Sequence, residues 1–420
     1  MHSGTETTGL AGRLLGETLQ YAREREYTGW DYGDGMSSRL LQGLPVEHKW
    51  CNIAVQETIK RAPVNVRPLF LVEQRRNYKG TALFAMANLA ADRLGLGGGP
   101  DGRTAGTSTV DYAAEARECC EWLIEHRTPG YAGFCGAHRH EIQHLDIKGL
   151  PEYPDMVSTS YAVQALLVAG DAGLDAGSES AYSEVVESVA DFIDEDLEYE
   201  EIPEGARMKY VPAWSSEHYT LNAVALGGVT LLELAARFDD PTHRERGEKL
   251  LDYVVSRQRP EGGWMYRDPP SASHLSMDNH HNGFVIESLL RHRELTGSAR
   301  YADALDDGLA FYRDALFEPD GAPNWDESNA YPRDIHAAAQ GIIVFSWAGA
   351  FDVAERILDW TVGNLYAGNG RFHFRRERFY TKRITLMRWC EAWMAYAVAT
   401  YLTHRDAAGA EESAFASRIR

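Results

Sequence analysis

The residues best equipped for chemistry in this chain sit in short polar clusters, each at the start of a helix-forming stretch. The densest is Asp278-Asn279-His280-His281-Asn282, after which Phe284, Val285, Ile286, Leu289 and Leu290 recur at helical spacing and Gly297 offers a stop. Tyr331, Arg333, Asp334 and His336 introduce a second such stretch, and Arg76 and Tyr78, followed by Lys79, a third. Glu217, His218 and Tyr219 precede a fourth, Lys382, Arg388 and Trp389 a fifth, and Asp155, Ser158 and Tyr161 a sixth; Asp34 lies in the turn-rich loop Gly29–Ser38. Imidazoles and carboxylates move protons, guanidinium and ammonium groups hold anions, and aromatic rings offer flat apolar platforms. Converging on one pocket, such groups suit a sugar, and the arginines suit an acidic one.

Each cluster also has a plainer reading. Asp155, Asp278 and Asp334 stand where helix N-caps belong, and a cap contributes about 1 kcal/mol whatever the function. His280 and His281 point in different directions on a helix, which leaves His281 for the pocket and His280 for packing. Arg388 falls in a largely apolar helix and needs a partner if buried, with Glu391 three residues on as the nearest acid. Caps account for one acid per helix, but not for histidine, tyrosine and arginine beside it in several helices.

The elements that would position these groups follow a repeating plan. A charged amphipathic helix (residues 111–126, 181–197, 242–257, 300–317 and 352–365) alternates with one rich in Ala, Gly and other small residues (156–169, 218–237, 281–296, 334–347 and 386–402). With residues 10–25 and 69–94 added, about six pairs result. Helices apolar nearly all round must be enclosed, and one-sided ones belong outside. The fold class expected is therefore all-α, an (α/α)6 toroid with long inserted loops. Residues 1–405 form its single domain and residues 406–420 a flexible tail. Its inner helices run parallel, so their polar starts meet at one mouth.

A formal net charge of −20 argues against nucleic acid and anionic lipid as partners. Of the 42 basic residues only seven are lysine, and an acidic, lysine-poor surface resembles that of proteins from salt-loving archaea. Five cysteines without framework spacing suit a reducing interior, no run reaches the length of a membrane helix, and the polar N-terminus lacks a signal core, so a cytoplasmic protein is expected. Cys135, His138, His140 and His144 have metal-ligand types, but their spacing fits no zinc module; neither a metal nor a cofactor is expected.

Gln258-x3-Gly262-x-Trp264 resembles the Gln-x3-Gly-x-Trp turn of the squalene-cyclase and prenyltransferase toroids, over one repeat and without their acid or zinc motifs. Residues 278–290, 331–340 and 378–389 resemble signatures of toroid proteins from bacterial and archaeal polysaccharide assembly, among them the AglQ-like proteins of haloarchaeal surface-layer N-glycosylation. That resemblance implies processing of a uronic-acid-containing, lipid-linked glycan by isomerisation or hydrolysis.

On residue chemistry the expected activity is a cofactor-free epimerase or isomerase acting on a uronic acid in glycan assembly. His281 with Tyr331 or His336 would carry protons, and Arg388, Arg333 or Lys382 would hold the carboxylate. An inverting glycoside hydrolase using Asp278 and Asp334, or a lyase, is the alternative within enzymes; a non-catalytic glycan-binding toroid is the alternative outside them.

Overall fold

The computed structural model describes residues 4–43, 48–97, 110–143, 148–178, 180–212 and 217–419. In chain order the principal helices are α1 (Gly4–Arg23), α2 (Lys49–Arg61), α3 (Tyr78–Arg93), α4 (Tyr112–Glu125), α5 (Met156–Asp171), α6 (Tyr182–Glu187), α7 (Leu221–Phe238), α8 (Pro241–Ser256), α9 (Asn279–Thr296), α10 (Ala302–Ala315), α11 (Ile335–Trp347), α12 (Phe351–Leu365) and α13 (Trp393–Ile419). Helices α3, α5, α7, α9, α11 and α13 form an inner ring in which each packs on the next and α13 returns to α3. Helices α1, α4, α6, α8, α10 and α12 pack outside it. The protein is an all-α (α/α)6 toroid. The helix α13 runs on to Ile419, through the stretch read from sequence as a tail.

The burial patterns explain the sorting. Every residue of α11 from Ile335 to Ser346 is buried, as a helix with neighbours on all sides requires. In α12 only one face is covered, through Val353, Ala354, Ile357, Leu358 and Thr361. One inner helix, α7, has 18 residues with a mean hydropathy of 1.4, long and apolar enough by composition to cross a membrane. Its residues are mostly buried by ring neighbours, as in the core helix of a globular fold.

Outer and inner helices alternate along the chain, so all inner helices point the same way and their N-termini share one rim. Four of the six begin with a side-chain cap: Asn77, Asp155, Asp278 and Asp334 accept from Gly80, Ser158, His281 and His336 N–H groups respectively. Short strand pairings brace that rim. Thr28–Gly29 pairs with Arg75–Arg76, Tyr219–Thr220 with Arg267–Asp268, and Arg375–Arg376 lies between Arg333–Asp334 and Thr381–Lys382.

The Gln258–Trp264 turn ties the outer ring together. The Gln258 amide donates to the Gly262 and Ala304 carbonyls, both at 2.8 Å, and Trp264 Nε1 donates to the Val254 carbonyl at 2.9 Å. Gly262 has φ +97°, and a Cβ there would meet the Asp307 carbonyl oxygen at 2.6 Å, so only glycine fits.

Further along the inner helices lies a second polar group, enclosed by the ring. Glu287 accepts from Gln340 at 2.7 Å and from Tyr161 at 3.3 Å, and Arg291 pairs with Glu233. Burial raises the pKa of both glutamates.

Candidate functional site

At the rim of α9, Asp278 works twice. It caps the helix, and its carboxylate accepts from His281 Nδ1 at 2.8 Å. Asp278 is buried, which alone would raise its pKa, but the charge and hydrogen bonds of His281 hold it below the usual range. With Nδ1 engaged, the other ring nitrogen of His281 is left for a ligand; the ring is braced by Tyr266 at 4.3 Å. His280 packs between its neighbour, 4.0 Å away, and His336, 4.7 Å away.

His336, in the first turn of α11, lies between His280 and Trp393, at 4.3 Å, with the edge of Trp389 at 4.6 Å. Neither of its ring nitrogens has a hydrogen-bond partner, although the side chain is buried. Burial, followed by the charges of neighbouring histidines, pushes His280 down to about 3 and His336 well below its ordinary value, so both are neutral at pH 7.

Just before α13, Met387–Ala392 forms a wide π-helical turn, a departure often found at functional sites. It carries Arg388 and Trp389. Arg388 Nε donates to Asp31 at 2.7 Å, fully buried. Burial would raise Asp31, but Arg388 and His140 more than offset it and its pKa is lowered. Trp389 stacks on Tyr32 at 4.4 Å, and its Nε1 donates to Asp334 at 2.7 Å. Asp334 also caps α11; burial pushes it up to about 6, and its second oxygen has no partner.

The facing wall is built by α3 and α5. Lys79, in the first turn of α3, is 6% exposed, and burial followed by the charge of Arg388 lowers it to about 7. Asp155 caps α5 and lies 3.4 Å from His138 Nε2, with His138 lowered to about 4 by burial. The charge of Lys79 acts on His138, His280 and His336 alike. Two basic groups, Lys79 and Arg388, and a row of neutral imidazoles therefore share the rim where the inner helices begin, which is taken as the bowl of the candidate site.

The structure gathers Asp278, His281, Asp334, His336, Arg388 and Trp389 as the sequence reading required. It turns others away. Arg333 alternates with Asp334 along its strand, so its guanidinium lies over Trp360 on the outer helix α12 and near Glu318, with Tyr331 beneath it. Arg76 pairs with Glu118 and covers Trp122, both on α4, and the Tyr78 hydroxyl donates to the Leu123 carbonyl. Tyr219 packs on Tyr253 of α8, Glu217 is exposed, and His218 sits at the edge beside Arg267 and His274. Asp34 is locked to Arg67 at 2.9 Å and accepts from the Asp31 N–H, supporting that loop. Lys382 is buried and donates to the Lys60 carbonyl.

Arg388 pairs with Asp31, not with Glu391, which accepts from the Phe372 N–H. Lys79 was visible as the residue after Tyr78 but carried no role, because nothing local distinguishes an inward lysine from a snorkelling one. In the Cys135–His144 segment, Cys135 contacts the Thr128 carbonyl, His138 faces Asp155 and His140 faces Asp31, so they serve separate partners; His144 lies outside the described residues. Among the described residues, the set whose donor atoms cluster within 4.8 Å as metal ligands would is Asp278, His280 and His281. The 2.8 Å contact within it is that of a hydrogen-bonded Asp–His dyad.

No family model matches the sequence, and no curated protein matches it. Solved structures do. The cellobiose 2-epimerase of Bacillus thermoamylovorans superposes with a TM-score of 0.59 at 14% identity, over 78% of this chain and 88% of that one. A GH76 α-mannanase of Bacteroides thetaiotaomicron gives 0.55 at 14% identity over 79% and 88%, and a D-mannose isomerase 0.56 at 9% over 78% and 87%. At these identities the likeness is one of fold.

Proposed function

We propose that the bowl is the active site of a cofactor-free, carbohydrate-active enzyme that moves a proton on a carboxylate-bearing sugar, an epimerase or isomerase of uronic acids in glycan assembly. The observation that carries this reading is His336, a buried neutral imidazole with both nitrogens unengaged, separated from the Asp278-held His281 by the His280 ring and within the electrostatic reach of Lys79 and Arg388. Removing a proton α to a carboxylate needs a base, a second group to return a proton, and cations on the carboxylate as enolate charge develops. His281 and His336 would move the proton. Lys79 and Arg388 would receive the carboxylate, and Trp389 and Tyr266 would flank the ring. An epimerase and an isomerase with the same toroid support the reading, and the resemblance to glycan-assembly toroids supplies the uronic acid and the lipid-linked context.

The test is proton exchange. Incubated in D2O with glucuronic acid or a glycan ending in it, the enzyme is expected to incorporate deuterium at the carbon beside the carboxylate. A substrate turned over without exchange overturns the proposal.

One observation favours a second reading. Asp278 and Asp334 are driven apart in acidity, one lowered and one raised to about 6, the split that an inverting hydrolase uses for base and acid. A GH76 mannanase has the same toroid. Asp334, however, sits behind Trp389 with one oxygen committed to the indole and the α11 cap, which suits positioning better than proton donation. Release of reducing sugar that disappears in Asp334→Asn would favour hydrolysis. Sugar binding that survives Asp278→Asn and His281→Ala, with no turnover of any glycan offered, would favour a binding toroid.

A further inference from the structure

The described residues expose ten large hydrophobic side chains, and eight of them fall in two stretches, 40–71 and 331–380. Phe379 is 88% exposed, Leu69 75%, Val64 65% and Trp50 60%. Phe379 stands at the tight turn of the hairpin formed by Arg375–Arg376 and Thr381–Lys382, where Glu377 N–H donates to the Tyr380 carbonyl. Leu69 and Leu71 stand in the turn that leads into the Ser38–Val72 bridge. The two stretches touch. Lys382 donates to the Lys60 carbonyl at 3.0 Å, and Lys60 lies over Tyr32, which stacks on Trp389 of the bowl. These contacts tie both stretches to Trp389 at the rim of the inner ring.

Charge is uneven in the same place. The chain carries −20 overall, yet residues 39–79 hold eight Lys or Arg against three acids and residues 371–388 seven against one, with Arg67, Lys79, Lys382 and Arg388 among them buried. Lys49, Arg376, Arg378 and Arg383 are exposed and form no ion pair among the described residues; Lys49 lies over Trp50 and Arg378 over Phe379.

We infer that this rim docks the toroid mouth-first on an anionic lipid bilayer. Protruding apolar side chains, two of them beside a cation (Trp50 with Lys49 and Phe379 with Arg378), match the headgroup boundary, where apolar groups enter and cations meet lipid charge. The strongly acidic remainder of the surface is repelled by the same bilayer, so the two signs together set the orientation. The whole-chain charge, which suggested that anionic lipid would be avoided, averages over this division. The inference stands independently of the chemistry proposed for the bowl, and it would bring that bowl to a membrane-borne head group.

The test uses the full chain and sucrose-loaded vesicles of phosphatidylcholine, with or without phosphatidylglycerol. The protein is expected to sediment with the anionic vesicles and not with the neutral ones, less so as salt rises from about 0.1 M to 1 M. Leu69→Ser/Phe379→Ser, and separately Arg376→Ser/Arg378→Ser/Arg383→Ser, are each expected to weaken binding about tenfold or more, with unchanged thermal unfolding because the sites are exposed. Equal sedimentation with both vesicle types, or variants that bind as the parent does, overturns the inference. So does light scattering that shows the parent as a dimer and the Leu69/Phe379 variant as a monomer, because a second copy would then be what covers the rim.

Discussion

Arg388 and Asp31 form a buried ion pair at 2.7 Å across 357 positions of sequence, joining the last inner helix to the first mouth loop. Removing one member leaves an uncompensated buried charge, at a cost of about 3–5 kcal/mol. Arg388→Met and Asp31→Asn are each expected to lower the unfolding free energy measured in urea by that order, and the double variant by less than the sum of the two. Additive losses in a double-mutant cycle would show that the pair is not coupled.

The Asp278–His281 dyad should separate capping from chemistry. Asn at position 278 still caps a helix but cannot hold the imidazole as a carboxylate does. Asp278→Asn is expected to unfold near the parent temperature while its rate of deuterium exchange into substrate falls, and His281→Ala to lose about a hundredfold or more. Exchange at the parental rate in both variants would remove His281 from the reaction.

Lys79 gives the pH dependence of binding a sign. Its folded pKa of about 7 means the site gains a cation as pH falls through neutrality. Affinity for an acidic sugar is expected to weaken as pH rises above about 7, whereas that for the neutral sugar stays flat. Lys79→Met should flatten the acidic-sugar profile, and calorimetry at pH 6 and pH 8.5 checks both.

Stability should depend on pH through the buried histidines. His280 at about 3, and His138 and His140 each at about 4, lie below the ordinary value near 6.5, because burial penalises their charged forms. Between those limits the unfolded chain binds more protons, so stability rises with pH there and is lost as pH falls below about 6.5, by up to about 1.4 kcal/mol per pH unit for each group. Urea midpoints between pH 7 and pH 5 should show the slope, and His280→Asn should reduce it.

The enclosed Glu287–Arg291–Glu233 group should respond asymmetrically. Burial already favours the neutral form of Glu287, so Glu287→Gln is expected to change stability little. Arg291→Met strands Glu233 and is expected to cost about 3–5 kcal/mol, read as a fall in the unfolding midpoint.

Helical periodicity alone determined much of this protein. The alternation of one-sided helices with all-apolar ones required an inner and an outer ring, and strict alternation required parallel inner helices, so the convergence of Asp278, Asp334 and Arg388 on one rim was legible before any coordinates. Helix spacing also required His280 and His281 to point in different directions, without deciding which of them faces a ligand. What sequence could not determine were choices made across the ring. Arg388 had Glu391 within local reach, but only tertiary structure brings Asp31 to it. Strand alternation sends Arg333 outward while Asp334 points in, and a two-residue strand leaves too short a pattern to read. Lys79 is buried beside Arg388, Asp155 and Asp31 from distant parts of the chain, and its displaced acidity is a property of that enclosure. Local pattern decides which way a side chain leaves its own helix; what it meets there is set by packing between residues hundreds of positions apart.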